Sequence, residues 1–303
     1  MNAGCARHSC VFTCLVTTVE KLTKVEFTNL DKVLFPKLGI KKAQVIEYYI
    51  RVAPQMLSFL ENRPLVVTRF PDGVGQNGFY EKDAPQGTPS WVKTAKFYSE
   101  TAKRDVNYVL CNDIDTLIWL ANLAAIEIHT PFSRADSREK PDMVFFDIDP
   151  EHPATFEDAT TVALLVKDKL DSLGLKSYVK TSGKKGFHIT VPIAGEYTFQ
   201  ETRKFVHKIG QQLAKTQELV VSEFNDTKKP GKVFVDYLQN SHGRTMASPY
   251  SLRATPEATV STPLEWSEVR KGIKPTEFNI SSVVKRKKDP WKKIFDNKQK
   301  LTV

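Results

Sequence analysis

The chain has 303 residues, 41% of them apolar and 26% charged, with a formal net charge of +9. This length is enough for one large domain or for two lobes around a cleft, and the composition is that of a globular protein. No apolar run approaches the length that crosses a bilayer, so we expect no membrane partner, whereas the positive charge favours polyanions.

The first twenty residues differ from the rest of the chain. They contain three of the four cysteines, Cys5, Cys10 and Cys14, and only Cys111 lies elsewhere. This distribution does not match a disulfide framework and favours a reducing cytoplasm. A signal peptide is disfavoured because the segment lacks a strongly basic start and a small-residue cleavage site. We expect a disordered extension over residues 1–20 and a single domain over residues 21–303.

Helices are predicted in three places. Apolar residues at three- and four-residue spacing indicate a helix over residues 44–60, and a second is expected over residues 113–125 with Asn112 as its N-cap. A third is predicted over residues 156–173, where Thr155 and Asp158 are spaced as a capping box.

Strands follow from short β-branched or aromatic runs bounded by Gly, Pro or Asp. They are predicted over residues 126–129, 143–148, 177–180, 187–192 and 232–238. The Pro/Gly-rich stretch 63–89 is expected to form a loop-and-hairpin region that contacts a ligand. The alternation of strands with helices indicates an α/β fold.

A basic segment lies at residues 281–303, where eight Lys or Arg side chains outnumber Asp289 and Asp296. Two interpretations stay open for it. It is either a solvated basic helix or a direct contact for nucleic acid.

Two carboxylates, Asp147 and Asp149, end the apolar run that begins at Met143. Side chains at i and i+2 of a strand share a face, so both point the same way, and such a pair is costly without a cation. Mg²⁺ and Mn²⁺ take carboxylate ligands, and two such ions serve phosphoryl transfer. The alternative is a solvated acidic pair at a strand end. Asp236 ends another apolar strand and could complete a two-metal site.

A glycine-rich loop, KTSGKKGFHI at residues 180–189, lies between the acidic motifs. Gly183 and Gly186 allow backbone amides to curl around an anion, while Ser182, Lys185 and His188 add polar groups. The loop is therefore interpreted as a phosphate cradle, although its spacing is not that of a Walker loop. A hairpin without function is the alternative. Downstream, residues 239–254 contain polar groups suited to a triphosphate and sugar, including Gln239 and Arg253.

The ordered motifs D-x-D, S-G-x-K-G-x-H, F-V-D-x-x-Q-N and P-Y-S-x-R resemble the primase-polymerase domain of bacterial ligase D, a branch of the archaeo-eukaryotic primase superfamily. The likeness runs from about Val25 to Trp291. It implies a mixed α/β fold with a central sheet flanked by helices.

The resemblance also implies roles for individual residues. Two divalent ions, Mn²⁺ or Mg²⁺, would be held by Asp147, Asp149 and Asp236. The incoming nucleotide would be bound by His129, Ser182, Lys185, His188, Gln239 and Arg253. The 5′ phosphate and template of a DNA gap would contact Asn29, Lys32, Lys42, Phe79, Tyr80 and Lys82.

The function implied is template-dependent nucleotidyl transfer that extends primers and fills gaps at double-strand breaks, with a preference for ribonucleotides over deoxyribonucleotides. Implied partners are gapped or broken DNA, a Ku-like end-binding protein and a separate ATP-dependent ligase, in a prokaryotic cytoplasm at the nucleoid. Two alternatives are a primase that starts strands on single-stranded template and a non-catalytic DNA-end clamp that recognises a 5′ phosphate.

Overall fold

The structure is a computed structural model, and it describes residues 23–100, 102–226 and 229–301. The predicted N-terminal extension and its three cysteines lie outside these residues. The described part is mixed α/β, as predicted, and none of its helices is long and apolar enough to span a bilayer.

Fourteen strands are present in the described residues. They are β1 (Val33–Phe35), β2 (Ile40–Lys41), β3 (Val66–Arg69), β4 (Phe79–Glu81), β5 (Thr94–Ser99), β6 (Arg104–Val109), β7 (Ala125–Pro131), β8 (Met143–Pro150), β9 (Tyr178–Thr181), β10 (Phe187–Pro192), β11 (Val220–Val221), β12 (Val233–Asp236), β13 (Thr245–Ala247) and β14 (Pro263–Leu264).

Five α-helices accompany these strands in the described ranges. They are α1 (Lys42–Leu60), α2 (Ile114–Asn122), α3 (Phe156–Ser172), α4 (Phe199–Thr216) and α5 (Ile280–Val283).

Two sheets dominate the fold. The larger has six strands in the order β11-β12-β8-β10-β9-β14, and the smaller has four in the order β13-β7-β3-β4. Helices α3 and α4 pack on the larger sheet, where Phe146 and Phe205 meet edge to face with ring centroids 6.4 Å apart. The other face of β8 turns toward the smaller sheet, since the ring centroids of Phe145 and Phe132 lie 4.8 Å apart. Alternation along β8 therefore sends Asp147 and Asp149 to the same face as Phe145, opposite the face of Phe146.

The helix starts follow capping chemistry. At α3 the Thr155–Asp158 capping box is present, as predicted. At α2 the predicted cap is wrong. Asp113 caps the helix by accepting from the Thr116 amide at 2.8 Å, because Asn112 instead accepts from the Asn62 amide at 2.7 Å.

The C-terminal segment is not a basic helix. Beyond the four residues of α5, a short 3₁₀ turn is the only helical element in its described residues, and its apolar side chains insert into the core. The indole of Trp291 is 1% exposed and its Nε1 donates to the carbonyl of Val179 at 3.0 Å. Its lysines, such as Lys292 and Lys293, lie on the surface.

Candidate active site

The three predicted aspartates lie on two neighbouring strands. Strand β12 runs antiparallel to β8 and places Asp236 directly opposite Asp147, while Asp149 follows two residues along on the same face. Burial, reinforced by the charges of Asp149 and Asp236, raises the pKa of Asp147 to about 7. Burial also raises the pKa of Asp236, while its hydrogen bonds and the Arg244 charge act in the opposite direction. The cluster thus carries more negative charge than its surroundings neutralise.

These carboxylates supply the hard oxygen ligands that Mg²⁺ and Mn²⁺ prefer. Their present arrangement is open. Within the described ranges, no three acidic, imidazole or thiol side chains are close enough together to hold a metal ion as they stand. Asp149 Oδ1 pairs with Lys185 Nζ at 3.1 Å. The donor chemistry and the charge therefore fit a cation, and binding one requires side-chain adjustment.

Two side chains extend the row of acids across the sheet. His188 on β10 lies directly opposite Asp147, and Lys180 on β9 lies directly opposite His188. Their side chains are in contact, with Lys180 Nζ 2.6 Å from His188 Nδ1. Burial, together with the charge of Lys180, lowers the pKa of His188 well below its usual range. Lys180 was not among the predicted site residues, although it is the first residue of the KTSGKKGFHI motif.

The glycine loop differs from the expected cradle. The hydroxyl of Ser182 accepts the amides of Lys184 at 3.2 Å and Gly186 at 3.1 Å, so those amides face the serine. The glycines serve close packing instead. A Cβ on Gly186 would lie 1.9 Å from the carbonyl oxygen of Ile148, and one on Gly183 would lie 2.5 Å from Cγ of Arg253. The Ser182 hydroxyl keeps its own hydrogen, which is available to donate to an anion.

A buried carboxylate links several predicted nucleotide ligands. Glu127 on β7 is 5% exposed, and its Oε1 accepts from Arg253 Nε at 3.2 Å and the Ala254 amide at 3.0 Å. Its Oε2 lies 3.1 Å from His129 Nε2, and Lys184 Nζ lies 3.3 Å from Oε1. Burial alone would raise the pKa of Glu127, but the His129 hydrogen bond and the Arg253 charge lower it overall. Sequence reasoning missed Glu127, which stands two residues before His129 on the same strand face.

A cleft of about 510 Å³ lies beside these groups. Predicted residues from both the nucleotide set and the DNA set line it, namely Tyr80, Lys82, His129 and Gln239. The Tyr80 and His129 ring centroids are 6.3 Å apart, and Lys82 Nζ lies 5.8 Å from the centre of the Tyr80 ring. The cleft also has two basic side chains, Arg244 from the polar stretch 239–254 and Arg138, which was not predicted. Phe79 is 44% exposed next to it, with Arg69 over its ring.

The predicted 5′-phosphate residues lie near one another but in different environments. Asn29 and Lys32 line a separate surface hollow, and Lys32 Nζ pairs with Asp72 at 2.9 Å. Lys42 is 5% exposed, because its Nζ donates to the carbonyl of Asn122 at 2.8 Å and to the hydroxyl of Thr28 at 3.1 Å. Burial and the neighbouring Lys32 charge lower the pKa of Lys42.

Comparisons with known proteins give one consistent family. The family profile "LigD, primase-polymerase domain" matches residues 41–291. The chain is 36% identical over 275 residues to the bifunctional non-homologous end joining protein LigD of Bacillus subtilis (strain 168), covering 90% of this chain and 44% of that protein. It is 32% identical over 254 residues to the multifunctional non-homologous end joining protein LigD of Mycolicibacterium smegmatis, covering 83% and 33% respectively. The chain thus spans less than half the length of these curated relatives.

A solved structure agrees with the sequence matches. The polymerase domain from Mycobacterium tuberculosis ligase D in complex with DNA superposes with a TM-score of 0.80 at 30% sequence identity. The match covers 86% of this chain and 93% of that chain.

Proposed function

Because the chain belongs to the LigD primase-polymerase domain family, we propose that it is a template-dependent nucleotidyltransferase that extends primers and fills gaps at DNA double-strand breaks. The observation that carries the proposal is the row of Asp236, Asp147 and His188 across three adjacent strands, beside the loop that holds Ser182. A cleft with exposed aromatic and basic side chains adjoins this row, as a template-directed reaction requires.

Two divalent ions, Mg²⁺ or Mn²⁺, would be held by Asp147, Asp149 and Asp236. When bound, they would neutralise charge on the attacking and leaving oxygens of phosphoryl transfer. Lys185 already contacts Asp149, so it is placed to move between that carboxylate and an incoming phosphate. The positive charge of Lys185 would then bind the triphosphate.

The remaining nucleotide residues would bind and orient the triphosphate. Ser182 donates its free hydroxyl hydrogen, and Arg253, fixed by Glu127 and by the Ser182 carbonyl at 2.6 Å, presents a rigid guanidinium. His129 and Gln239 would contribute from the lining of the adjoining cleft. The preference for ribonucleotides remains part of the proposal.

DNA would enter on the side of the exposed aromatics. Phe79 and Tyr80 offer stacking faces for template bases, and Lys82 adds charge for a phosphate. Asn29 and Lys32 are accessible to a 5′ phosphate. The buried Lys42 would instead attract the phosphate through its positive charge and hold the Thr28 hydroxyl in place by a hydrogen bond. A relative of this fold has been solved with DNA bound.

The end-joining role extends the proposal to partners. The curated relatives are named as non-homologous end joining proteins. A Ku-like end-binding protein and an ATP-dependent ligase are therefore the proposed partners, with the bacterial nucleoid as the site of action.

The test is a primer-extension assay on a gapped duplex, with and without its 5′ phosphate, supplied with ribo- or deoxyribonucleotides in Mg²⁺ or Mn²⁺. The wild type is expected to fill the gap, and Asp149→Asn to abolish filling while DNA binding survives. Asp168→Asn, an exposed aspartate on α3, is the matched control and should behave as wild type.

Other outcomes identify the alternatives. Synthesis on unprimed single strands would indicate a primase. Binding that depends on the 5′ phosphate, with no metal-dependent incorporation, would indicate an end clamp and would overturn the proposal. Near wild-type extension by Asp149→Asn would overturn the site assignment.

A further inference from the structure

Lys180 ends the row of polar side chains that starts at the acids. Across four adjacent strands, Asp236, Asp147, His188 and Lys180 stand directly opposite one another, so all four side chains lie on the same face of the sheet. Lys180 is therefore one imidazole ring away from the carboxylates.

The lysine is fully buried without a carboxylate partner. It is 0% exposed, and its Nζ contacts the Ser261 hydroxyl and His188 Nδ1, the latter at 2.6 Å. Among the described residues, no acidic side chain forms an ion pair with it. Burying an amine in this way is costly, and an apolar residue of the same length would fill the space at less cost. The contact with His188 is the feature that an apolar residue would lose.

The hydrogen-bond directions follow from the neighbours. The Ser261 hydroxyl donates to the carbonyl of Thr181 at 3.1 Å, so it accepts from Lys180. On the far side of the imidazole, His188 Nε2 faces Asp147 Oδ1 at 3.5 Å. A hydrogen on Nε2 is attracted to that carboxylate, whereas a lone pair there would be repelled. With the hydrogen on Nε2, Nδ1 has a free lone pair, and Lys180 supplies the donor that it needs.

We propose that Lys180 is a positioning residue that holds the His188 ring with its hydrogen on Nε2, so that the ring donates toward Asp147 and the nucleotide phosphates. The functional part of this inference rests on the proposed nucleotidyl transfer. The tautomer itself does not, because it is a property of the free protein. At other functional sites, a hydrogen bond to one ring nitrogen of a histidine likewise fixes the tautomer and the orientation of the ring.

The experiment is ¹⁵N nuclear magnetic resonance of histidine-labelled full-length chain at pH 8, with the His188 signals assigned by their loss in His188→Asn. The wild type is expected to show a protonated Nε2 and an unprotonated Nδ1. In Lys180→Met, which keeps length and removes the donor, the ring should become a mixture of tautomers. Lys176→Met, an exposed lysine two residues before β9, is the matched control.

Single-turnover incorporation at saturating nucleotide supplies the functional readout. Lys180→Met should lower the rate roughly 10- to 100-fold, the range typical for groups that orient metal-binding histidines, with a smaller change in nucleotide KM. Ser261→Ala leaves the lysine–histidine contact and should keep the wild-type tautomer.

The outcomes are separable. A wild-type His188 protonated on Nδ1 overturns the inference without the Lys180→Met variant, so a Lys180→Met chain that fails to fold does not block the test. Wild-type rates and spectra in a folded Lys180→Met chain overturn it as well. If the wild type shows the expected tautomer but incorporates no nucleotide, the proposed function fails. The inference that Lys180 holds the His188 tautomer then still stands.

Discussion

The charge cluster at Asp147 makes a quantitative prediction for the protein without metal. Burial and the neighbouring Asp149 and Asp236 raise the pKa of Asp147 from 3.8 to about 7. At roughly 1.4 kcal/mol per pKa unit, ionising this side chain in the folded state costs up to about 4 kcal/mol relative to the unfolded chain. Asp147→Asn keeps the shape and removes the charge. We therefore expect the variant to be more stable than the wild type at pH 8.

The sign of the pH dependence follows from linkage. A carboxyl whose pKa is raised in the folded state binds its proton more tightly there, so stability is lost as pH rises from about 4 to about 7. The advantage of Asp147→Asn in free energy of unfolding should therefore grow by about 2–3 kcal/mol between pH 5 and pH 8.

Urea unfolding in the presence of EDTA, at pH 5 and pH 8, measures this difference. Asp168→Asn, on the exposed face of α3, is the control and should match the wild type at both values. Added Mn²⁺ should stabilise the wild type by about 2.7 kcal/mol at a hundredfold excess over Kd, and the variant by less. If Asp147→Asn is no more stable than the wild type at pH 8 without metal, burial of the Asp147 charge does not destabilise the fold and the prediction is wrong.

Three further substitutions test the supports of the site. Glu127→Gln leaves Arg253 partly unpaired, and we expect a tenfold or greater loss in single-turnover incorporation, while Glu196→Gln on the surface should show none. Gly186→Ala places a Cβ 1.9 Å from the Ile148 carbonyl oxygen, and urea unfolding should show a loss of about 1–3 kcal/mol or more. Trp291→Ala empties a fully buried site and should cost about 3–5 kcal/mol in the same measurement, whereas a loss below about 1 kcal/mol would contradict the described packing.

The local features of the fold could be predicted from the sequence because they depend on short-range chemistry. The capping box at Thr155 and the alternation that ends at Asp147 and Asp149 are examples. Helix α4 was not predicted although its signals are present, since Thr198 and Glu201 form a capping box ahead of an amphipathic stretch. The hairpin of β5 and β6 was missed because half of its residues are exposed and charged or polar residues interrupt its apolar ones, so that alternation is weak.

The relations between distant segments needed the structure. The sequence contains Asp236, but its position opposite Asp147 depends on which strands are neighbours. The same holds for the burial of Lys42, whose partners are Thr28 and the Asn122 carbonyl. Lys180 also belongs to this group, because its contact with His188 arises from pairing of β9 with β10.

The central claim is that the aspartates of β8 and β12 together hold divalent ions for nucleotidyl transfer. Anomalous diffraction from crystals grown with Mn²⁺ and a non-hydrolysable nucleoside triphosphate tests it most directly. We expect manganese peaks within about 2.5 Å of oxygens of Asp147, Asp149 and Asp236, with the triphosphate beside Ser182. A bound triphosphate with no manganese at these carboxylates would contradict the account.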